Sequence, residues 1–257
     1  IPDSFEAYNR IAAREYAREA REAAREAARE ARETNAAIRR EEAARLQKRD
    51  PVIGDMAGIL ALIKAGNHDQ ALTRALAWHD KDRGDVLALL ALGEVHEAAG
   101  RPGEAARAYG SIIDLFPNRA DLRRYAGARL ERLAAAGLAL AIDTFKKAAL
   151  QRADHPASHR LLAYALARAG RHEEALAAIL VGAARSYPVG RFRGVDRILR
   201  DDAAILAAVR IAHDPASEKA VRAELDRQHI ALASGPSLRF VLNWETDAND
   251  EIGRAHV

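Results

Sequence analysis

The stretch VLALLALGEVHEAAGRPGEAARAYGSIIDLFPNR, Val86 to Arg119, decides the fold. Apolar residues recur at helical spacing on both sides of Gly100, and Pro117 stands where a second helix must stop. Within the stretch, Gly93 and Ala105 are small enough to let two helices approach closely. Leu89, Leu92 and Tyr109 are placed to fill the space around that approach. Gly100 sits at the turn, where glycine most readily takes the left-handed conformation that ends a helix. His96 and Ile112 complete the pattern. The reading is a helix-turn-helix unit.

The unit recurs. Gly66, Ala71 and Ala75 lie 34 residues before Gly100, Ala105 and Tyr109, and Gly127 lies 34 after Gly93. Ala141 and Phe145 lie 36 after Ala105 and Tyr109, which places a two-residue insertion in the turn from Ala134 to Leu138. Ala175 and Ile179 follow another 34 on, with Gly170 at the turn and Pro188 at the stop. Four units are therefore expected from about Val52 to Pro188.

The spacing bulky-x2-Leu-Gly-x2-(Tyr-like), then Ala-x3-Tyr and a closing Pro, resembles the tetratricopeptide-repeat (TPR) family. It departs from that pattern in having Leu89 for Trp and His96 for Tyr. The resemblance implies helix pairs stacked in a right-handed superhelix with a concave groove lined by the first helix of each pair. Such units bury their apolar faces only against neighbours, so several are needed for stability.

Composition agrees with an all-α fold. Ala, Leu, Arg and Glu dominate the 257 residues, and all four lose little side-chain entropy in a helix. The 40 basic and 37 acidic residues leave a net charge of only +3, without the basic stripe or interleaved aromatics of a nucleic-acid binder. There is no cysteine, which excludes disulfides and thiolate chemistry. No apolar run is long enough to span a membrane, so no membrane insertion is expected. The chain begins at Ile1, and the compartment (bacterial envelope, periplasm or cytoplasm) stays open.

Residues 1–50 read as a long charged helix. Arg-Glu steps recur from Arg14-Glu15 to Arg29-Glu30, capped by Asp3 or Ser4. Ala13, Ala17, Ala20, Ala24, Ala27 and Ala31 form a heptad-like seam, but alanine buries little area. A spacer or coiled-coil arm and a solvated single helix both fit. Asp50-Pro51 ends the element.

After the repeats, residues 189–234 read as two capping helices, Val195 to Ala212 and Pro215 to Leu232. Gly235-Pro236 then breaks the helical pattern. Residues 235–251 read as the start of a truncated β domain, with Leu238 to Trp244 strand-like. The span from Leu238 to Asp250 resembles the opening of a bacterial β-sandwich domain family. That family accompanies von Willebrand-type, VIT-type or macroglobulin-like envelope proteins. Within the span, Asp247, Asn249 and Asp250 read as an acidic turn in preference to Ca²⁺ ligands. The tail Ile252-Gly253-Arg254-Ala255-His256-Val257 matches a translated sequencing adapter. It is expected to be an artefact ending a fragment of a longer bacterial gene.

No phosphate-binding loop, nucleophile elbow, zinc-protease helix or dinucleotide fingerprint occurs. His155 and His159 are four apart but lack a third ligand, and Asp201-Asp202 point apart on a helix and read as surface acids. No cofactor, metal site or catalytic residue is expected. The chain reads as a non-catalytic protein-protein interaction scaffold. The alternative is a regulatory or substrate-recruiting arm of an enzyme whose catalytic domain lies elsewhere. In the repeat register, the first helices contribute Ile53, Met56, Leu60 and Lys64, then Leu87, Leu90, Glu94 and Glu97. They continue with Arg124, Ala128, Glu131 and Arg132, and with Arg160, Tyr164 and Arg168. The candidate binding set is Leu87, Leu90, Glu94, Arg124, Arg132, Arg160, Tyr164 and Arg168, for a protein or peptide bearing acidic residues. A solvated face, or one covered by the chain's own N-terminal helix, is the competing reading.

Overall fold

The computed structural model describes residues 53–188, 190–233 and 235, with Glu26, Arg29, Glu33 and Asn35 from the N-terminal segment. Two units are distinguished, Ile1–Ile53 and Gly54–Val257. In the first, the four described residues are helical and exposed, and Arg29 Nε lies 3.0 Å from Glu33 Oε1 one helical turn on. The remainder of the expected charged helix, the β segment and the adapter-like tail lie outside the described residues.

The second unit is helical, with no strand among its described residues. The helices are α1 (Gly54–Lys64), α2 (His68–Lys81), α3 (Val86–Ala98), α4 (Pro102–Leu115), α5 (Ala120–Arg132), α6 (Leu138–Gln151), α7 (Pro156–Arg168) and α8 (His172–Ala183). They are followed by α9 (Val195–His213) and α10 (Glu218–Arg227). Each helix packs on its successor, and α1 also meets α3, α5 meets α7, and α7 meets α9. This is a TPR-like stack of four helix pairs, closed by α9 on α8.

Local chemistry sets the helix limits. Asp85 caps α3 by accepting a 2.8 Å hydrogen bond from Leu87 N. Pro102 and Pro156 occupy the first turns of α4 and α7, where a missing N–H costs nothing. Gly66, Gly100 and Gly170 end α1, α3 and α7 with φ of +77°, +68° and +73°. At Gly100 the next N–H, of Arg101, returns 2.9 Å to His96 O, and Asn67 and Arg171 do the same. These bonds satisfy carbonyls that a helix end leaves bare.

The third unit takes this turn differently. Ala134, 34 residues after Gly100, also has positive φ, +49°, and a short 3₁₀ turn (Ala134–Ala136) follows. The two-residue insertion is thus accommodated, and Gly137 is held where a Cβ would come 2.1 Å from Leu130 O. Ala134→Gly is expected to raise stability by about 0.5–1 kcal/mol, because relief of the left-handed alanine outweighs the extra unfolded-state entropy. A urea midpoint that falls instead would show that the turn is not strained.

The core repeats by pairs of one small and one large residue. A Cβ on Gly93 would stand 2.0 Å from the Tyr109 ring, and one on Gly127 2.4 Å from the Phe145 ring. The fourth unit holds Ala163 and Ile179 at these places. The first reverses the order, with Ile59 and Ala75, and all of these large residues are fully buried. Ala71, Ala105, Ala141 and Ala175, the small residues of the second helices, are also fully buried. Each unit therefore fills a similar volume by a different division of it, as close-packed interiors require. Beyond α8, Leu199 and Leu206 of α9 and Val221 and Leu225 of α10 share a core with Leu176, Ile179 and Leu180.

Candidate functional site

The first helices of the units, α1, α3, α5 and α7, together with α9, form the face on which the sequence places the candidate residues. One register position holds Met56, Leu90, Arg124 and Arg160. The side chains of Met56, Leu90 and Arg124 are 8%, 7% and 4% exposed. Leu90 and Arg124 are thus closed off between neighbouring helices. Arg124 Nη1 donates 3.0 Å to Ser158 Oγ on α7 and is not open to a ligand. Arg160 is also largely enclosed. Its guanidinium donates to Asp202 of α9 at 2.5 Å, and Tyr164 OH donates to the other Asp202 oxygen at 2.8 Å. The guanidinium carbon lies 5.1 Å from the centroid of the Tyr164 ring. Burial, then the bond to Asp202 and its charge, pushes the Tyr164 hydroxyl up to about 12. Asp202 is fully buried. The expectation that it lies on a helix surface is overturned, because α7 supplies a cation and a hydroxyl to compensate its charge.

The next positions carry a ladder of ion pairs between units. Arg129 of α5 donates to Glu94 of α3 and stacks on its own Tyr125 ring. Arg132 Nη2 lies 3.2 Å from Glu94 Oε1 and 2.8 Å from Glu97 Oε2. Glu97 also accepts a 3.0 Å bond from Tyr109 OH, and burial with the Glu94 and Glu97 charges pushes that hydroxyl up. Arg168 Nε lies 3.4 Å from Glu131 Oε1. Burial pushes the Glu131 carboxyl up, and Arg168 offsets part of this. The structure thus brings Glu94 together with Arg132, and Arg160 with Tyr164, while Arg124 turns to Ser158. Leu87 (53% exposed) and the Arg168 side chain (65% exposed) remain open, and Arg132 is 44% exposed despite its two partners.

Reading the sequence for binding residues missed Asp202, Ser158, Arg129 and Glu97 as partners. A signal was present. Glu94 to Arg129 and Glu97 to Arg132 are 35 residues apart, and Arg124 to Ser158 is 34, about one repeat. Opposite charges separated by one repeat length are candidates for contact across adjacent units.

His155 and His159 are packing residues. His159 Nε2 lies 2.9 Å from Ala153 O, and its Cβ would be 2.7 Å from a Cβ on Gly182. His155 packs edge-on against Phe192, centroids 5.3 Å apart. No group of three or more potential metal ligands occurs among the described residues, and none of the described helices is long and apolar enough to cross a membrane. Burial, with the Arg124, Arg152 and Arg191 charges, lowers the His155 pKa from 6.5 to about 4. Between these values the unfolded chain binds the proton and the folded one does not. The resulting stability is complete above pH 6.5 and is lost as pH falls towards 4. A shift of that size corresponds to about 3 kcal/mol, which partial exposure screens to roughly 1–2 kcal/mol. Urea midpoints measured across this range should fall with pH, and His155→Gln should flatten the fall. An equally steep profile in the variant would assign the effect to other groups.

No family model matches the chain, and no curated protein matches it. Solved structures give the following similarities. MamA residues 41 to the end, from Desulfovibrio magneticus RS-1, is 16% identical over 69% of this chain and 96% of that one, with a TM-score of 0.43. A thermophilic TPR protein of Thermus thermophilus is 18% identical over 69% of this chain and 98% of that one, with a TM-score of 0.35. A putative kinesin light chain of Podospora anserina, with nearly identical TPR-like repeats, is 16% identical over 69% and 95%, with a TM-score of 0.44. The TPR-like character of this chain stands on its own helix pairs and turns.

Proposed function

We propose that the chain is a protein-protein interaction scaffold, and that the face of its first helices receives a partner segment. One observation carries this reading. At one register position the four units present Leu60, Glu94, Ala128 and Tyr164, all half-buried, on a constant backbone. Beside it the packing position is closed in every unit. A face that holds geometry constant while its chemistry changes from unit to unit suits an extended ligand read along its length. The partner segment places an apolar residue on Leu87 and acidic residues towards Arg132 and Arg168. Arginine forks match carboxylates in two-point geometry.

Arg124 and Arg160 do not belong in the test, because their loss acts on stability. Peptides selected from a random library on the wild-type chain should bind Leu87→Glu and Arg168→Glu variants more weakly, with helicity unchanged. Each exposed contact contributes roughly 0–1 kcal/mol, so the double variant should lose about tenfold in affinity. Equal affinities for wild type and double variant would remove this face from consideration.

A further inference from the structure

Almost every arginine in the repeat unit has an ion-pair or hydrogen-bond partner. The exceptions among the described residues are Arg83, Arg101, Arg185, Arg193 and Arg197, and the last three fall at one place, the junction of α8 and α9. That junction is also the longest connection between units. Residues 82–85, 116–119 and 152–155 make the others, whereas 184–194 lie between α8 and α9. Asp196 is the only acidic residue between Ala184 and Arg200.

Two shorter connections show how an arginine at such a turn is satisfied. In Arg119-Ala120-Asp121 the guanidinium donates to both oxygens of Asp121, at 2.9 and 2.5 Å. In Arg152-Ala153-Asp154 it does the same at 2.8 and 2.9 Å. The next connection reads Arg185-Ser186-Tyr187. The carboxylate is gone, and Tyr187 turns inward to donate 2.9 Å to Gly182 O. The loop's described residues Tyr187, Pro188 and Phe192 are nevertheless held in place. Phe192 N donates 2.9 Å to Pro188 O, and the Phe192 ring packs on His155 and Tyr187. Its arginines are therefore presented on an ordered support, which lowers the cost of ordering them on binding.

We infer that the α8–α9 junction is a second docking surface, with Arg185, Arg193 and Arg197 receiving the carboxylates of an acidic protein segment. The inference rests on the reading of the chain as a protein-binding scaffold, but uses a different surface. An acidic protein segment is favoured over a nucleic acid because the preceding turns satisfy their arginines with carboxylates. In addition, the two aromatic rings of the loop, Tyr187 and Phe192, pack against each other, with Tyr187 buried and Phe192 also against His155, and offer no platform for stacked bases.

The test uses the full chain and a fluorescent peptide of alternating glutamate and alanine. A glutamine-alanine peptide, a single-stranded oligonucleotide and phosphatidylserine vesicles serve as the other probes. The wild type should bind the glutamate peptide in a salt-sensitive way. R185E/R193E/R197E should bind it about tenfold more weakly or worse, with an unchanged circular dichroism spectrum. Arg119→Gln, whose guanidinium already has its carboxylate, should leave binding unchanged. No binding by the wild type, or equal binding by the triple variant, would overturn the proposal, as would tighter binding of the oligonucleotide or vesicles. Loss of binding in Leu87→Glu alone would overturn it while supporting the helix face as the acidic-segment site.

Discussion

Gly93→Ala is expected to destabilise the repeat unit by about 2–3 kcal/mol, although alanine is the better helix former by about 1 kcal/mol. The added methyl would lie 2.0 Å from Cε1 of Tyr109. That ring is fully buried and tethered through its hydroxyl to Glu97, so it cannot swing aside cheaply. Tyr109→Ile alone should also destabilise, through a cavity and the lost bond to Glu97, by roughly 2–4 kcal/mol. Combined, the two changes recreate the Ala163 and Ile179 pair of the fourth unit. The double variant should then be at least about 1 kcal/mol more stable than additivity predicts. Urea titrations of the four proteins measure this directly, and strict additivity would mean that the two positions do not share one volume.

Arg160→Ala is expected to cost roughly 3–5 kcal/mol, because it leaves the fully buried Asp202 carboxylate without its main cation. Tyr164 keeps one hydrogen bond to the carboxylate but supplies no charge. Replacing both members, as Arg160→Met with Asp202→Leu, should recover most of the loss, since the desolvation of two ions is removed together with their attraction. Thermal or urea denaturation of the wild type and the two variants decides the matter. A single variant as stable as the wild type would show that the pair contributes nothing to the α7–α9 contact. The same reasoning forbids using Arg160→Glu as a binding test: it sets two carboxylates against each other inside the protein.

These predictions concern the two kinds of contact that hold successive helices. Volume is matched within a unit by small and large residues, and charge is matched between units by pairs such as Glu97 with Arg132 and Arg160 with Asp202. Helical repeats are stabilised by such nearest-neighbour terms, so a change at one junction is expected to loosen that junction first.

The helix pairs were legible in the sequence because their causes are local. Gly66, Gly100 and Gly170 must take positive φ to end a helix, and the two-residue insertion after Leu133 showed itself by shifting Ala141 and Phe145 out of the 34-residue spacing. Gly93 opposite Tyr109 was legible for the same reason: size is a property of the residue and travels with the register. The sequence by itself therefore determined the all-α class, the repeat length and the packing positions. It did not determine which arginines are free. Arg124, Arg160 and Arg168 share a helix face and look alike in the sequence, yet one is sealed against Ser158, one is neutralised by a buried aspartate 42 residues away, and one stays largely in solvent. Only the tertiary structure decided this, because the state of a charged side chain depends on what a neighbouring helix sets opposite it. An exposed guanidinium and an enclosed, paired one differ by several kcal/mol in desolvation and by nothing in local pattern.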